Sequence, residues 1–133
     1  MAGYSNTPLL KKLGIQSGLT LTVINEPAQY WNWLSPLPAG VRVVANQPNT
    51  DLIHLFVTGQ KEFEQEFLKV KRHLSKQGAL WVSWPKKSSK RPTDLDENKI
   101  RNFGLGVGLV DVKVCAVDET WSGLKFVYRL KDR

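Results

Sequence analysis

A single cysteine stands in the whole sequence, so no internal disulfide can form and no multi-cysteine zinc site can be built. Only two histidines accompany it, too few for a dedicated transition-metal centre, and no metal is expected. No apolar run approaches the ~20 residues a membrane helix requires. The opening Met1-Ala2-Gly3-Tyr4-Ser5-Asn6 has neither the apolar core nor the basic flank of a secretion signal. Internal repeats are missing, as is any linker long enough to divide the chain. These absences exclude a disulfide scaffold, a zinc module, a membrane span and a repeat array. They leave one cytoplasmic domain over residues 1–133, with no membrane partner.

What is present fits a packed domain. Hydrophobic residues make up 41% and charged residues 23%, which is globular composition and not that of a disordered chain. The net charge of +7 is unevenly spread. Residues 60–93 carry nine basic side chains (Lys61, Lys69, Lys71, Arg72, Lys76, Lys86, Lys87, Lys90, Arg91) against Glu62, Glu64 and Glu66. Such a block either forms a solvated face or attracts phosphate groups and acidic partners over about 8–10 Å.

Strand and helix patterns alternate along the chain. Thr7-Pro8 starts a short helix that Gly14 closes, with Leu9, Leu10 and Leu13 on its apolar side. Residues 19–24 read as a strand. A helix restarts at Asn25 or Glu26 before Pro27 and stops at Pro36 and Pro38. Strands follow at 41–45 and 52–57, the second nearly all apolar, as a strand covered on both faces is. Phe63, Phe67, Val70 and Leu74 recur at 4, 3 and 4 residues and predict a helix over 60–76 that Gly78 ends. Residues 79–84 form the next buried strand, 86–92 a basic loop, and Thr93 the start of a third helix. Strands at 109–117 and 124–130 close the chain as a hairpin, with Val110, Val112, Val114 and Ala116 on one face. This order predicts a three-layer, Rossmann-like α/β fold, with a mostly parallel sheet and an antiparallel strand at 124–130.

The glycines of Gly104-Leu105-Gly106-Val107-Gly108 follow a helix and precede a strand. That is the reverse of a dinucleotide loop, so they read as a helix exit and turn. Where a phosphate cradle would stand, after Ile24, the sequence has Asn25-Glu26-Pro27-Ala28, without glycine. Asn46 occupies the place of the acid that usually holds a ribose. No cofactor is expected. His54 reads as a buried neutral imidazole with one hydrogen bond, and Cys115 as a packed thiol near Lys113. Trp81 and Trp84 face opposite sides of one strand, while Trp121 lies in the hairpin connection.

In an open α/β sheet the loops leaving the carboxyl ends of parallel strands converge on one rim, where ligands bind. Asn25, Glu26, Thr58 and Lys86 leave by that rim. Asp118, Glu119, Trp121 and Ser122 turn over it if strand 109–117 is parallel as well. Pro85 fixes the chain direction ahead of Lys86. Lys86 and Trp121 are expected within contact or one bridging water, with Asp118 or Glu119 pairing with the lysine. The group forms either a ligand site or a lock joining the hairpin to the sheet.

The stretches Tyr4 to Gly14, Leu80 to Lys87 and Val110 to Lys125 resemble a family of short, uncharacterised bacterial proteins known as a domain of unknown function. The resemblance spans nearly the whole chain and implies relatives, not chemistry. More loosely, the element order, the helix–glycine–strand step from Leu74 to Trp81 and the final hairpin are similar to a trimmed class I methyltransferase. Together these readings lead to a non-catalytic, methyltransferase-like module that binds a small anionic ligand or a protein at the rim. Two others stand beside it: an enzyme acting on a small anionic substrate there, and a basic nucleic-acid accessory, which lacks a recognisable reading motif.

Overall fold

The computed structural model describes residues 8–133, so the expected Thr7 cap lies outside the described residues. Short α1 (Leu9–Leu13) ends where Gly14 takes a left-handed conformation, φ 79°, and donates its N–H to the carbonyls of Leu10 and Lys11. Then come β1 (Thr20–Ile24), α2 (Tyr30–Leu34), β2 (Arg42–Val43), β3 (Thr50–Phe56), α3 (Gln60–Lys71), β4 (Leu74–Pro85), α4 (Glu97–Gly106), β5 (Leu109–Ala116) and β6 (Trp121–Tyr128). Six strands form one sheet in the order β2-β1-β3-β4-β6-β5. The first three pairings are parallel, and β6 runs antiparallel to both its neighbours. β5 therefore points the same way as β4, and its carboxyl end shares their rim.

Two apolar layers enclose the sheet, as the alternation of elements predicts. On one face α1 and α2 cover Leu21, Leu52, Phe56, Trp81 and Trp121. On the other α3 and α4 cover Ile53, Leu55, Leu80, Val82, Trp84 and Phe126. Trp81 and Trp84 thus do face opposite sides, and the Trp81 indole donates to Leu13 O at 3.0 Å.

Several boundaries differ from the sequence reading. α3 stops at Lys71 and β4 begins at Leu74, because Leu74 pairs with Thr50 across the sheet. Gly78 is not a helix exit. A Cβ there would lie 2.6 Å from Asp51 O, so glycine permits a close strand approach where the β3–β4 register shifts. α4 starts at Glu97, capped by the Asp96 carboxylate accepting from Lys99 N–H, and not at Thr93. α2 starts at Tyr30, and β2 is a two-residue, exposed strand. Gly104 lies inside α4 and Gly108 adopts φ 100°. A register shift between Asp111 and Lys113 breaks the single face expected for β5, leaving Val112 and Val114 exposed on the edge strand.

Candidate functional site

The carboxyl rim is built from the exits of β1, β3, β4 and β5. At β1, Asn25 turns the chain with φ 60° and its side-chain amide donates to Phe56 O at 3.3 Å. Glu26 accepts from the Trp31 indole at 3.1 Å. At β3, Thr58 N–H donates to the Glu62 carboxylate at 3.2 Å, and Thr58 O accepts from the Thr93 hydroxyl at 2.5 Å. That bond ties the β3 exit to the loop before α4 and explains why Thr93 is spent outside the helix.

At β4, Pro85 stands opposite Trp121 in the sheet, and Lys86 N–H donates to Thr120 O at 2.8 Å. Lys86 and Trp121 are therefore neighbours at one end of the sheet. The hairpin is tighter than the sequence suggests. Asp118 Oδ1 accepts from the N–H groups of Thr120 at 2.9 Å and Trp121 at 2.7 Å. This closure makes Trp121 the first residue of β6 instead of a turn residue. The indole is 6% exposed, packs edge-on against Phe56 at 5.1 Å and lies 5.5 Å from the Arg91 guanidinium. Ser122 sits within β6 opposite Trp84 and Ala116, and Glu119 is exposed at the turn.

The predicted residues thus form two groups, Asn25, Glu26 and Thr58 on one side, and Lys86, Asp118, Glu119, Trp121 and Ser122 on the other. Phe56 joins them, its carbonyl held by Asn25 and its ring by Trp121. Three participants escape sequence reasoning: Phe56, Arg91 and Lys12. Lys12 is 8% exposed, and its ammonium donates to Ala116 O at 3.0 Å, at the end of β5. Nothing in the spacing of α1 and β5 signals that contact.

Several ammoniums act on the end of β5. Burial pushes the Cys115 thiol up from its ordinary value, while the ammoniums of Lys12, Lys113 and Lys86 act on it in the opposite sense. Burial prevails, so Cys115 is held as a thiol and not as a thiolate nucleophile. Among the described residues no group of three His, Cys, Asp or Glu side chains is placed to hold a metal ion. No helix among them is long and apolar enough to cross a membrane.

Beneath the rim lies a buried polar chain. His54 on β3 is 0% exposed and has two hydrogen bonds where the sequence suggests one, joining Tyr30 Oη at 2.9 Å and Ser83 Oγ at 2.8 Å. Burial lowers the imidazole to about 3 and raises the Tyr30 phenol. Both are neutral, so the chain is a satisfied core network with no proton to trade at neutral pH.

No protein-family model matches the sequence, and no curated protein matches it. Solved structures do share its fold. A SAM-dependent methyltransferase from Aquifex aeolicus is 15% identical with a TM-score of 0.59, over 89% of this chain and 86% of that one. A TehB-like SAM-dependent methyltransferase from Corynebacterium glutamicum is 10% identical with a TM-score of 0.59, covering 96% and 91%. DhpI in complex with SAH is 10% identical with a TM-score of 0.62, covering 92% and 83%. At these identities the likeness establishes the scaffold, a methyltransferase-like, Rossmann-like sheet.

The exit of β1 departs from the glycine-bearing turn that cradles a nucleotide. Between β1 and β3, where the strand order reverses and such folds seat ligands, the Asn25 side chain spans the crevice to Phe56 O. The following turn has no glycine to let a nucleotide approach the backbone. At the end of β2, Asn46 stands with φ 52° where an acid would hold a ribose.

Proposed function

We propose that this chain is a cytoplasmic binding module on a methyltransferase-like scaffold, taking a small anionic molecule at the carboxyl rim and carrying out no methyl transfer. The observation that carries the reading is the basic end of β5, where Lys12 donates to Ala116 O and Lys113 to Lys12 O, with the Lys86 backbone bonded to Thr120 O across the hairpin, beside the Arg91–Trp121 contact. Basic side chains gathered at one rim raise the local concentration of phosphates or carboxylates. In this reading Lys86 supplies the main charge contact and Trp121 the wall. Ser122 and, across Phe56, Thr58 and Asn25 supply polar contacts. The crevice bridged by Asn25 supports a ligand other than adenosylmethionine.

Thermal unfolding in the presence of inorganic phosphate, citrate, adenosine monophosphate and adenosylmethionine tests it. A ligand at about 100 times its Kd adds roughly 2.7 kcal/mol of stability. At least one of the first three should raise Tm, and Lys86→Gln should abolish the rise measured against that variant's own ligand-free Tm. A rise with adenosylmethionine that exceeds the others overturns the proposal, as does indifference to all four.

A further inference from the structure

The opposite end of the sheet, where β4 begins and β6 ends, carries a second surface that the rim does not use. α3 finishes there with Lys71 and Arg72, Lys76 follows at the start of β4, and Arg129, Lys131 and Arg133 come after β6. Several of these cations are fixed in place. Lys71 donates to Val107 O at 2.6 Å, Arg129 to Leu105 O at 2.9 Å and Arg133 to Tyr128 O at 2.8 Å. The ammonium of Lys76 stands 4.1 Å from the centre of the Tyr128 ring. Both ion pairs among the described residues belong to Arg101, so no paired carboxylate neutralises this cluster. Asp132 is the acid that acts on the Tyr128 hydroxyl.

Apolar surface is interleaved with this charge. Leu68, Leu105 and Leu130 are 46%, 37% and 80% exposed, and they are the exposed leucines among the described residues. All three lie at this pole. An open groove of about 290 Å³ runs between Leu68, Lys71, Arg72 and Tyr128. Leu68 in a cationic groove, with Leu105 and Leu130 exposed outside it, matches an acidic chain with apolar anchors, in the manner of a helix laid into a groove.

We propose that this pole docks an acidic segment of a partner protein, with leucine-like side chains on the face it presents. A single-stranded nucleic acid would share the charge complementarity but needs exposed rings for its bases. The ring at this groove, Tyr128, is 8% exposed and has an ammonium over its face.

Fluorescence anisotropy with the full chain tests this directly. The probes are a labelled synthetic peptide of glutamate with leucines at helical spacing, an all-glutamate peptide of the same length, a single-stranded RNA, and phosphatidylserine vesicles. The glutamate–leucine peptide should bind at least about tenfold more tightly than the other three. Leu68→Asp and Arg72→Glu should each weaken it by about tenfold or more, and Lys86→Gln should leave it unchanged. Both altered side chains are on the surface, and equal Tm values for the variants show that they fold. Tighter binding of RNA or vesicles, binding that ignores Leu68→Asp, or no binding at about 1 mM peptide each overturns the proposal.

Discussion

A Cβ placed on Gly104 would lie 2.2 Å from Cε1 of Phe126. Helix α4 therefore rests on β6 at a separation that only a hydrogen allows, and the ring has no room to retreat. Phe126 is fully buried and packs edge-on against Phe67 at 5.3 Å.

Gly104→Ala sets two effects against each other. Alanine gains about 1 kcal/mol of helix propensity, but forcing a methyl into a packed ring costs typically 1–3 kcal/mol. The overlap is severe enough for packing to win, and urea unfolding should show a net loss. Adding Phe126→Leu should recover part of it, a non-additivity expected only of residues in contact.

Trp121→Ala should lower stability by about 3–5 kcal/mol, as loss of a buried large aromatic does. Chemical denaturation measures this. A loss under about 1 kcal/mol would show that the indole contributes little to the core, which its 6% exposure and Phe56 contact argue against.

His54 should make the fold acid-sensitive. Its folded value, about 3, lies below the ordinary 6.5, so the unfolded chain binds a proton that the native chain refuses. Stability from this group is complete above about pH 6.5 and falls as pH drops toward 3, by up to about 1.4 kcal/mol per pH unit. Urea midpoints at pH 7, 5 and 4 should decline steeply in the native protein. A His54→Gln variant, less stable at pH 7, should show a shallower decline.

Asp118→Ala leaves two backbone N–H groups of the hairpin without their carboxylate. It should cost about 1–3 kcal/mol, whereas Asp118→Asn, which keeps an acceptor oxygen, should cost less. Hydrogen exchange at Thr120 and Trp121 gives the local readout. Unchanged protection there would mean that water substitutes freely for the carboxylate.

The layered fold was legible because alternating apolar strands and one clear helical stripe leave little choice of architecture. Boundaries failed where one pattern suits two structures. Leu74 continues the helical spacing of Phe63, Phe67 and Val70 yet pairs with Thr50 as a strand residue. Gly78 reads as a helix stop, but it is demanded by the close carbonyl of Asp51. At the rim, strand direction was enough to bring Lys86 and Trp121 to one end. The burial of Trp121 depended on the Asp118 turn, and the approach of Lys12 to Ala116 on tertiary packing that no local spacing encodes. The Tyr30–His54–Ser83 chain joins three separate elements and was visible only as one odd polar residue in an apolar strand.

Among the described residues, the two edge strands of the sheet, β2 and β5, are each ill-suited to templating another chain. β2 offers a two-residue ladder, too short to seed growth. β5 is longer and carries exposed valines, but its register breaks between Asp111 and Lys113, and Lys113 places a charge at the break. An incoming strand would meet a discontinuous row of donors and acceptors beside a cation, which discourages fibril-like addition. Removing one residue at that irregularity should straighten the border and leave β5 a longer, more regular template for another strand.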